Sequence, residues 1–266
     1  VSLFSNGKKL AEEAFVKKLK AAGTDLLILQ FDSLLDENYV KLRGEPLLEL
    51  KFKALENLKK YEIPVYLFAM LVKGINDEEI RGIMDFFLQR EEIKILNFNP
   101  VWEMGRFEEN KERLTNSGIV ALMEKNKILN KKELLENTEV TILIAEFRKI
   151  LSLKKFNIHP KCELRAYYFK LNGKYRPMHE FLELEEINRI FRKYLNFMRK
   201  NNKLLSLVAM LSLIPLFFWK IRRGFKFSFI RFIFSNINLK NSIMKIKIKS
   251  LIVGTFHTHE NNDLGF

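Results

Sequence analysis

Ile63–Val72 reads IPVYLFAMLV, ten residues without a charge, with Lys60-Tyr61-Glu62 before it and Lys73-Gly74 after it. A strand with one wet face would alternate apolar and polar residues. A continuous apolar run between turn signals is the pattern of a strand buried on both faces of a parallel sheet. Asp25–Phe31 (DLLILQF) and Ile93–Phe98 (IKILNF) have the same character, and Val1–Phe4 is a shorter run ending at the turn Ser5-Asn6-Gly7. The segments between them have helical spacing. Lys8–Ala22 places Leu10, Ala14, Phe15, Val16 and Leu19 inward and ends at Gly23. Asp36–Lys60 reads as one or two helices interrupted near Gly44-Glu45-Pro46, and a further helix starts at Asn76 or Asp77 and runs to about Gln89.

The order β-α-β-α-β-α-β predicts a parallel α/β array with right-handed crossovers. Four strands do not close an eightfold barrel. They fit either part of a barrel or a doubly wound sheet, and in both folds ligands bind at the carboxyl ends of the strands. Those ends carry Ser5, Asn6 and Gly7; Gln30, Asp32 and Ser33; Lys73, Gly74 and Asn76; and Asn97, Asn99 and Gly105. All are polar or glycine-rich, which suits a polar cofactor. The competing reading is that Asn, Asp and Gly simply make turns and caps there.

The chain has 266 residues, 47% of them hydrophobic, with 24 Phe. A sizeable core is within reach, and collagen-like or wholly disordered chains are excluded. Its single cysteine, Cys162, excludes an internal disulfide framework and any metal or iron–sulfur site built from several cysteines of this chain. A reducing compartment, the cytoplasm, is the expected location. Net charge is +14 but uneven: residues 1–150 carry −1 and residues 151–266 carry +15, with no acidic residue between Glu186 and Glu260. Such a basic half suits a polyanionic or acidic partner, including an anionic lipid surface.

The strand ends resemble those of radical S-adenosylmethionine (radical SAM) enzymes. VSLFSNGKKL resembles that family's third barrel strand with its Ser/Thr-Asn-Gly ending, and LILQFDSLLDENYVKLRG its fourth strand and loop. VYLFAMLVKGINDEEI resembles the fifth strand, and ILNFNPVWEMGR the sixth. The wording is most similar to the branch containing archaeal dihydropterin C-methylases and the tetraether-lipid synthase, whose His-Pro-x-Cys segment resembles His159-Pro160-Lys161-Cys162. The resemblance implies a partial (β/α) barrel of strands three to six, followed by a basic α+β C-terminal region. It implies S-adenosylmethionine and a [4Fe–4S] cluster as cofactors of the intact protein, with none held tightly by this chain alone. The family's CxxxCxxC loop and the glycine-rich loop after its second strand have no counterpart here. The chain is therefore expected to be the middle and C-terminal portion of a longer enzyme and inactive by itself.

Carried over residue by residue, the resemblance makes Asn6, Gln30, Asp32, Asn76, Asn97 and Asn99 candidate cofactor-binding residues. Gln30 and Asp32 would face the ribose and methionine parts, and Asn76, Asn97 and Asn99 would border the adenine. Asn76 as a helix cap and Arg43 as a solvated helix-end arginine are the plainer readings of those two positions; the other reading of Arg43 is a pair with an acidic neighbour, or contact with a carboxylate or phosphate. Cys162 is a candidate ligand of an auxiliary cluster or a buried small hydrophobe. The expected organisation is a partial barrel over 1–115, a helical connection over 116–156 and the basic region over 157–266. The implied activity is radical C-methylation or C–C bond formation on a pterin-like or lipid-like substrate, with the absent front part of the same enzyme as partner. The rival function is a non-catalytic membrane-surface or anion-binding protein.

Within the basic half, Ala166–Leu171 and Lys174–Arg176 flank Asn172-Gly173, the signature of a β-hairpin. Phe181–Lys200 is an amphipathic helix. Leu204–Trp219 (LLSLVAMLSLIPLFFW) is short of the roughly 20 apolar residues that a spanning helix needs and contains Pro215. A helix buried against other parts is expected, with a spanning helix and a surface anchor, and so peripheral membrane contact, as alternatives. Phe225–Ile233 and Met244–Lys249 alternate basic and apolar residues, which raises nucleic acid as a partner, but no motif of a nucleic-acid fold accompanies them. His257 and His259 share one face of a strand, a weak metal pattern.

Overall fold

A computed structural model describes residues 1–101, 114–151, 163–222, 225–226 and 247–254. Gly105, His159, Cys162, His257, His259 and most of Phe225–Ile233 lie outside them. The strands are β1 (Ser2–Ser5), β2 (Leu26–Gln30), β3 (Val65–Leu71), β4 (Ile93–Pro100), β5 (Glu163–Leu171), β6 (Lys174–Pro177) and β7 (Ile248–Gly254). They form one sheet in the order β1-β2-β3-β4-β7-β5-β6. β1 to β4 and β7 run parallel, and β5 pairs antiparallel with both β7 and β6. The parallel array read from the apolar runs is therefore present, and the basic half extends the same sheet.

The helices are α1 (Glu13–Ala21), α2 (Asp36–Arg43), α3 (Leu48–Lys60), α4 (Ile80–Gln89), α5 (Asn116–Lys125), α6 (Lys131–Ile150), α7 (Leu184–Lys200) and α8 (Lys203–Lys220). Lys8–Ala22 is two pieces, because the backbone at Glu12 is extended between a 3-10 turn and α1. The break at Gly44 is real: its φ of +81° closes α2 in the left-handed conformation that glycine adopts without a Cβ penalty. Asn172 and Gly173, both at positive φ, make the β5–β6 turn.

The two faces of the sheet differ. Leu27, Leu29, Val65, Leu67, Ala69, Leu96, Phe98, Leu251, Val253, Leu164 and Ala166 occupy one face in register and are fully buried. Residues of α1, α3, α4, α5 and α6 complete that core, among them Val16, Leu55, Ile83, Met123 and Leu134. Burying these side chains against helices is the main stabilising term, about 1.5–3 kcal/mol for each large aliphatic or aromatic group. The alternate residues form the second face. Gln30, Phe68, Asn97, Ile252 and Arg165 make one transverse row across five strands, and Ile28, Tyr66, Ile95, Ser250 and Tyr167 make the next. Polar side chains are concentrated there.

β6 pairs with β5 only from Tyr168 onward, so the start of β5 is an open edge. α6 covers it. Thr138 Oγ1 accepts from the Arg165 amide at 2.8 Å, and Asn137 Oδ1 accepts from the Tyr167 amide at 3.4 Å. Two helix side chains thus stand in for a missing strand. A second cluster forms where Phe181, Leu182, Leu184 and Ile187 pack with Tyr167, Phe169 and Ile248 of the second face.

Candidate functional site

The carboxyl ends of β1, β2 and β3 are tied together by buried polar groups. Lys51 on α3 is 1% exposed, and its ammonium donates to the carbonyls of Asn6 at 2.5 Å and Gln30 at 2.7 Å. It also lies 5.6 Å from the centroid of the Tyr39 ring. Burial pushes its pKa down to about 8, against the opposing pull of Asp32. Gly7, at φ +88°, makes room for this lysine. A Cβ there would lie 2.9 Å from Leu29 Cδ1 and 3.3 Å from Lys51 Cδ.

Asp32 is fully buried beyond the end of β2. Its Oδ2 accepts from Arg43 Nε at 3.0 Å, Arg43 Nη2 at 2.9 Å and Gln30 Nε2 at 2.7 Å, and its Oδ1 accepts from the Met70 amide at 3.1 Å. Arg43 is thus the paired partner of a buried carboxylate, where its place at a helix end predicted a solvated side chain. Asn76 gives no side-chain helix cap. Its Oδ1 accepts from the Val72 amide at 2.7 Å, and its Nδ2 donates to the carbonyls of Asp32 and Met70 at 2.7 and 2.8 Å. One amide therefore joins the ends of β2 and β3. Behind it, Glu79 accepts from Ser33 Oγ at 2.5 Å, the Leu34 amide at 2.7 Å and Asn38 Nδ2 at 2.6 Å.

β4 presents a different situation. Asn97 and Asn99 sit two residues apart, on the same face, and each is 3% exposed. Asn97 Nδ2 donates to the Tyr66 hydroxyl at 2.8 Å, but among the described residues Asn97 Oδ1 has no partner, and neither does Asn99 Nδ2. Ser250 Oγ, also on this face, is another buried atom without a partner among the described residues. Burial pushes the Tyr66 phenol up to about 12, with Glu163 adding to the rise and the Asn97 bond opposing it. Arg165 binds Glu163 through Nη2 at 2.7 Å beside them. A buried amide atom is normally satisfied, so an acceptor and a donor left over on one strand face suit a polar ligand.

The six candidates therefore fall into two groups. Asn6, Gln30, Asp32 and Asn76 belong to a connected framework at the ends of β1 to β3, whereas Asn97 and Asn99 hold unused hydrogen-bonding capacity on the second face. Lys51, Glu79, Tyr66 and Ser250 were not singled out from the sequence. Lys51 had a signal: with Leu47, Ala54, Leu55 and Leu58 it lies on the buried stripe of α3.

The family model for the radical SAM superfamily matches residues 1–87. These residues belong to the radical SAM superfamily. The chain is 31% identical over 195 residues to the 7,8-dihydro-6-hydroxymethylpterin dimethyltransferase of Methanocaldococcus jannaschii, covering 70% of this chain and 38% of the relative. It is 36% identical over 109 residues to a probable GTP 3',8-cyclase of Methanosarcina acetivorans, covering 38% of this chain and 32% of that protein. A GTP 3',8-cyclase of Paenarthrobacter nicotinovorans is 33% identical over 91 residues, covering 34% of the chain and 25% of the relative. The chain thus spans between a quarter and two fifths of the length of these relatives. Radical SAM membership carries S-adenosylmethionine and a [4Fe–4S] cluster as cofactors of an intact enzyme.

The residues present fit these two groups unequally. The unpaired amide atoms of Asn97 and Asn99 suit the polar organic cofactor. The cluster does not fit: the sequence has one cysteine, and among the described residues no group of three His, Cys, Asp or Glu could hold a metal ion.

Proposed function

We propose that β1 to β4 are strands three to six of a partial radical SAM barrel, and that their polar ends form part of the S-adenosylmethionine cradle. The carrying observation is the pair Asn97 Oδ1 and Asn99 Nδ2, buried on one face and without a hydrogen-bond partner among the described residues. Along β1 to β4 the core helices α1, α3, α4 and α5 lie on one face, opposite Gln30, Tyr66, Asn97 and Asn99, which supports a barrel wall over a doubly wound sheet.

In this reading Asn97 and Asn99 take up the donor and acceptor edge of the adenosyl group. Asp32 holds Gln30 in place for the ribose and methionine parts, and Lys51 fixes the Asn6 carbonyl beside it. Asn76 borders the cradle and keeps the ends of β2 and β3 at fixed spacing. With one cysteine in the sequence and, among the described residues, no group that could hold a metal ion, the chain alone does not cleave S-adenosylmethionine and binds it weakly. The intact enzyme performs radical C-methylation or C–C bond formation on a pterin-like or lipid-like substrate, and the pterin in the name of the M. jannaschii relative supports the former.

The test is a titration of the whole chain, with asparagine side chains labelled by nitrogen-15, against S-adenosylhomocysteine. The side-chain amide signals of Asn97 and Asn99 should shift with a Kd of about 1 mM, near −4 kcal/mol, and the response should vanish in Asn97→Ala/Asn99→Ala. Shifts confined to other asparagines would contradict the reading.

A further inference from the structure

α8 carries an apolar stripe that the described residues leave uncovered. Leu204, Leu207, Val208, Leu211, Pro215 and Trp219 follow each other at intervals of one to four residues and lie on one side of the helix, and all six are exposed. Trp219 is 75% exposed and Leu204 71%. Phe197 of α7, 46% exposed, lies beside them, and the groove between the two helices holds about 360 Å³ above Tyr194, Leu205, Val208 and Ala209. The run expected to be buried is thus divided: Leu213, Ala209 and Leu216 pack against α6 and α7, and the other side is turned outward. No described helix is long and apolar enough to cross a membrane, so the stripe is a surface feature.

The exposed charge beside the groove is cationic, while Glu186 at the far end of α8 is taken up by an ion pair with Lys220 at 2.6 Å. Lys193 and Lys200 are exposed on α7, on the same side as Phe197, and α8 itself has no acidic residue. No Asp or Glu occurs in the sequence between Glu186 and Glu260. An apolar stripe with cationic flanks and a tryptophan near one end matches a helix lying in the headgroup region of an anionic bilayer. Neutral lipid or a purely apolar protein face would leave the lysines without a counterpart.

We infer that the α7–α8 face docks on an anionic lipid bilayer, with the apolar stripe of α8 in the headgroup boundary and Lys193 and Lys200 on lipid phosphates. The inference goes beyond the cofactor cradle and is independent of it.

The experiment uses the whole chain carrying Trp102→Phe, so that Trp219 is the sole tryptophan reporter. Vesicles of phosphatidylcholine with phosphatidylglycerol are compared with phosphatidylcholine alone. The anionic vesicles should shift Trp219 emission to the blue and sediment the protein, and raised salt should weaken both effects. Leu207→Glu/Leu211→Glu should lower vesicle affinity at least about tenfold, since two apolar contacts are lost. Lys193→Glu/Lys200→Glu, which leaves the stripe intact, should abolish the preference for anionic vesicles. A Trp219 signal unmoved by anionic vesicles would overturn the inference. So would a blue shift produced by protein concentration alone, because a second copy would then cover the face.

Discussion

Arg43 holds Asp32 through two nitrogens, Nε at 3.0 Å and Nη2 at 2.9 Å, both on the same carboxylate oxygen. The carboxylate is fully buried and the arginine is about two-thirds buried, so the pair is more than a surface contact. Arg43→Met should leave a buried charge with only Gln30 and the Met70 amide. The expected loss is about 3 kcal/mol at the lower end of the range for breaking a buried pair, read from the urea midpoint. Asp32→Asn, which keeps the shape, should cost less. An Arg43→Met midpoint equal to that of the parent would contradict this role.

Thr138 should matter more than a helix threonine usually does. Thr138→Val keeps the shape but removes the group that caps the Arg165 amide at the open edge of β5. A buried donor left unmet costs about 1–3 kcal/mol. Hydrogen exchange at the Arg165 amide should speed up while the amides of β2 and β3 keep their protection. Uniform acceleration across the sheet would instead indicate general destabilisation.

Gly7→Ala should also be destabilising. The residue sits at φ +88°, and the new methyl would meet Leu29 Cδ1 at 2.9 Å. Strain of this kind costs about 1–3 kcal/mol, and the shift should appear in the thermal midpoint. Gly23→Ala, which meets nothing within 4 Å despite its positive φ, should cost less.

Lys249 gives the chain a pH dependence of defined sign. It is fully buried on the helix-covered face of β7, its ammonium donating to the carbonyls of Phe87 and Arg90 at the end of α4. Burial lowers its pKa to about 7 despite the nearby Glu91. A lysine with a lowered folded-state pKa is penalised while charged. The unfolded chain holds the proton up to about pH 10.4, so between pH 7 and that point it binds more protons than the folded one. Stability contributed by this group should therefore rise with pH from 7 to about 9.5. Lys249→Met should flatten that slope in urea titrations, and an unchanged slope would assign it to other groups.

The parallel strands were legible because the core side of each is mainly apolar and its other side mixes Ile28, Phe68, Met70 and Ile95 with few polar residues before the strand ends, giving the nearly continuous apolar runs at 25–31, 63–72 and 93–98. The polar strand ends were legible because turns and ligand sites need the same residue types. For the same reason, residue type did not separate Asn76, whose amide is fully engaged in framework bonds, from Asn97 and Asn99, whose amides are not. Lys51 and Lys249 look like solvated lysines in composition, and only their register with Leu55 and Leu58, or with Leu251 and Val253, places them inside. The insertion of β7 between β4 and β5 depends on contacts far apart in sequence, which local periodicity does not encode. The buried Asn137 and Thr138 became intelligible only with the strand edge they cover.

In the proposed cradle the second face of β4 receives the adenosyl part of S-adenosylmethionine. Its most direct test is photolabelling of the whole chain with S-adenosylhomocysteine bearing an azide on the adenine, followed by mass spectrometry of the adducts. Label should appear on peptides containing residues 66–76 and 95–100 and be competed away by unmodified S-adenosylhomocysteine. Competed label confined to α7 and α8, or to the helix-covered side of the sheet, would contradict it.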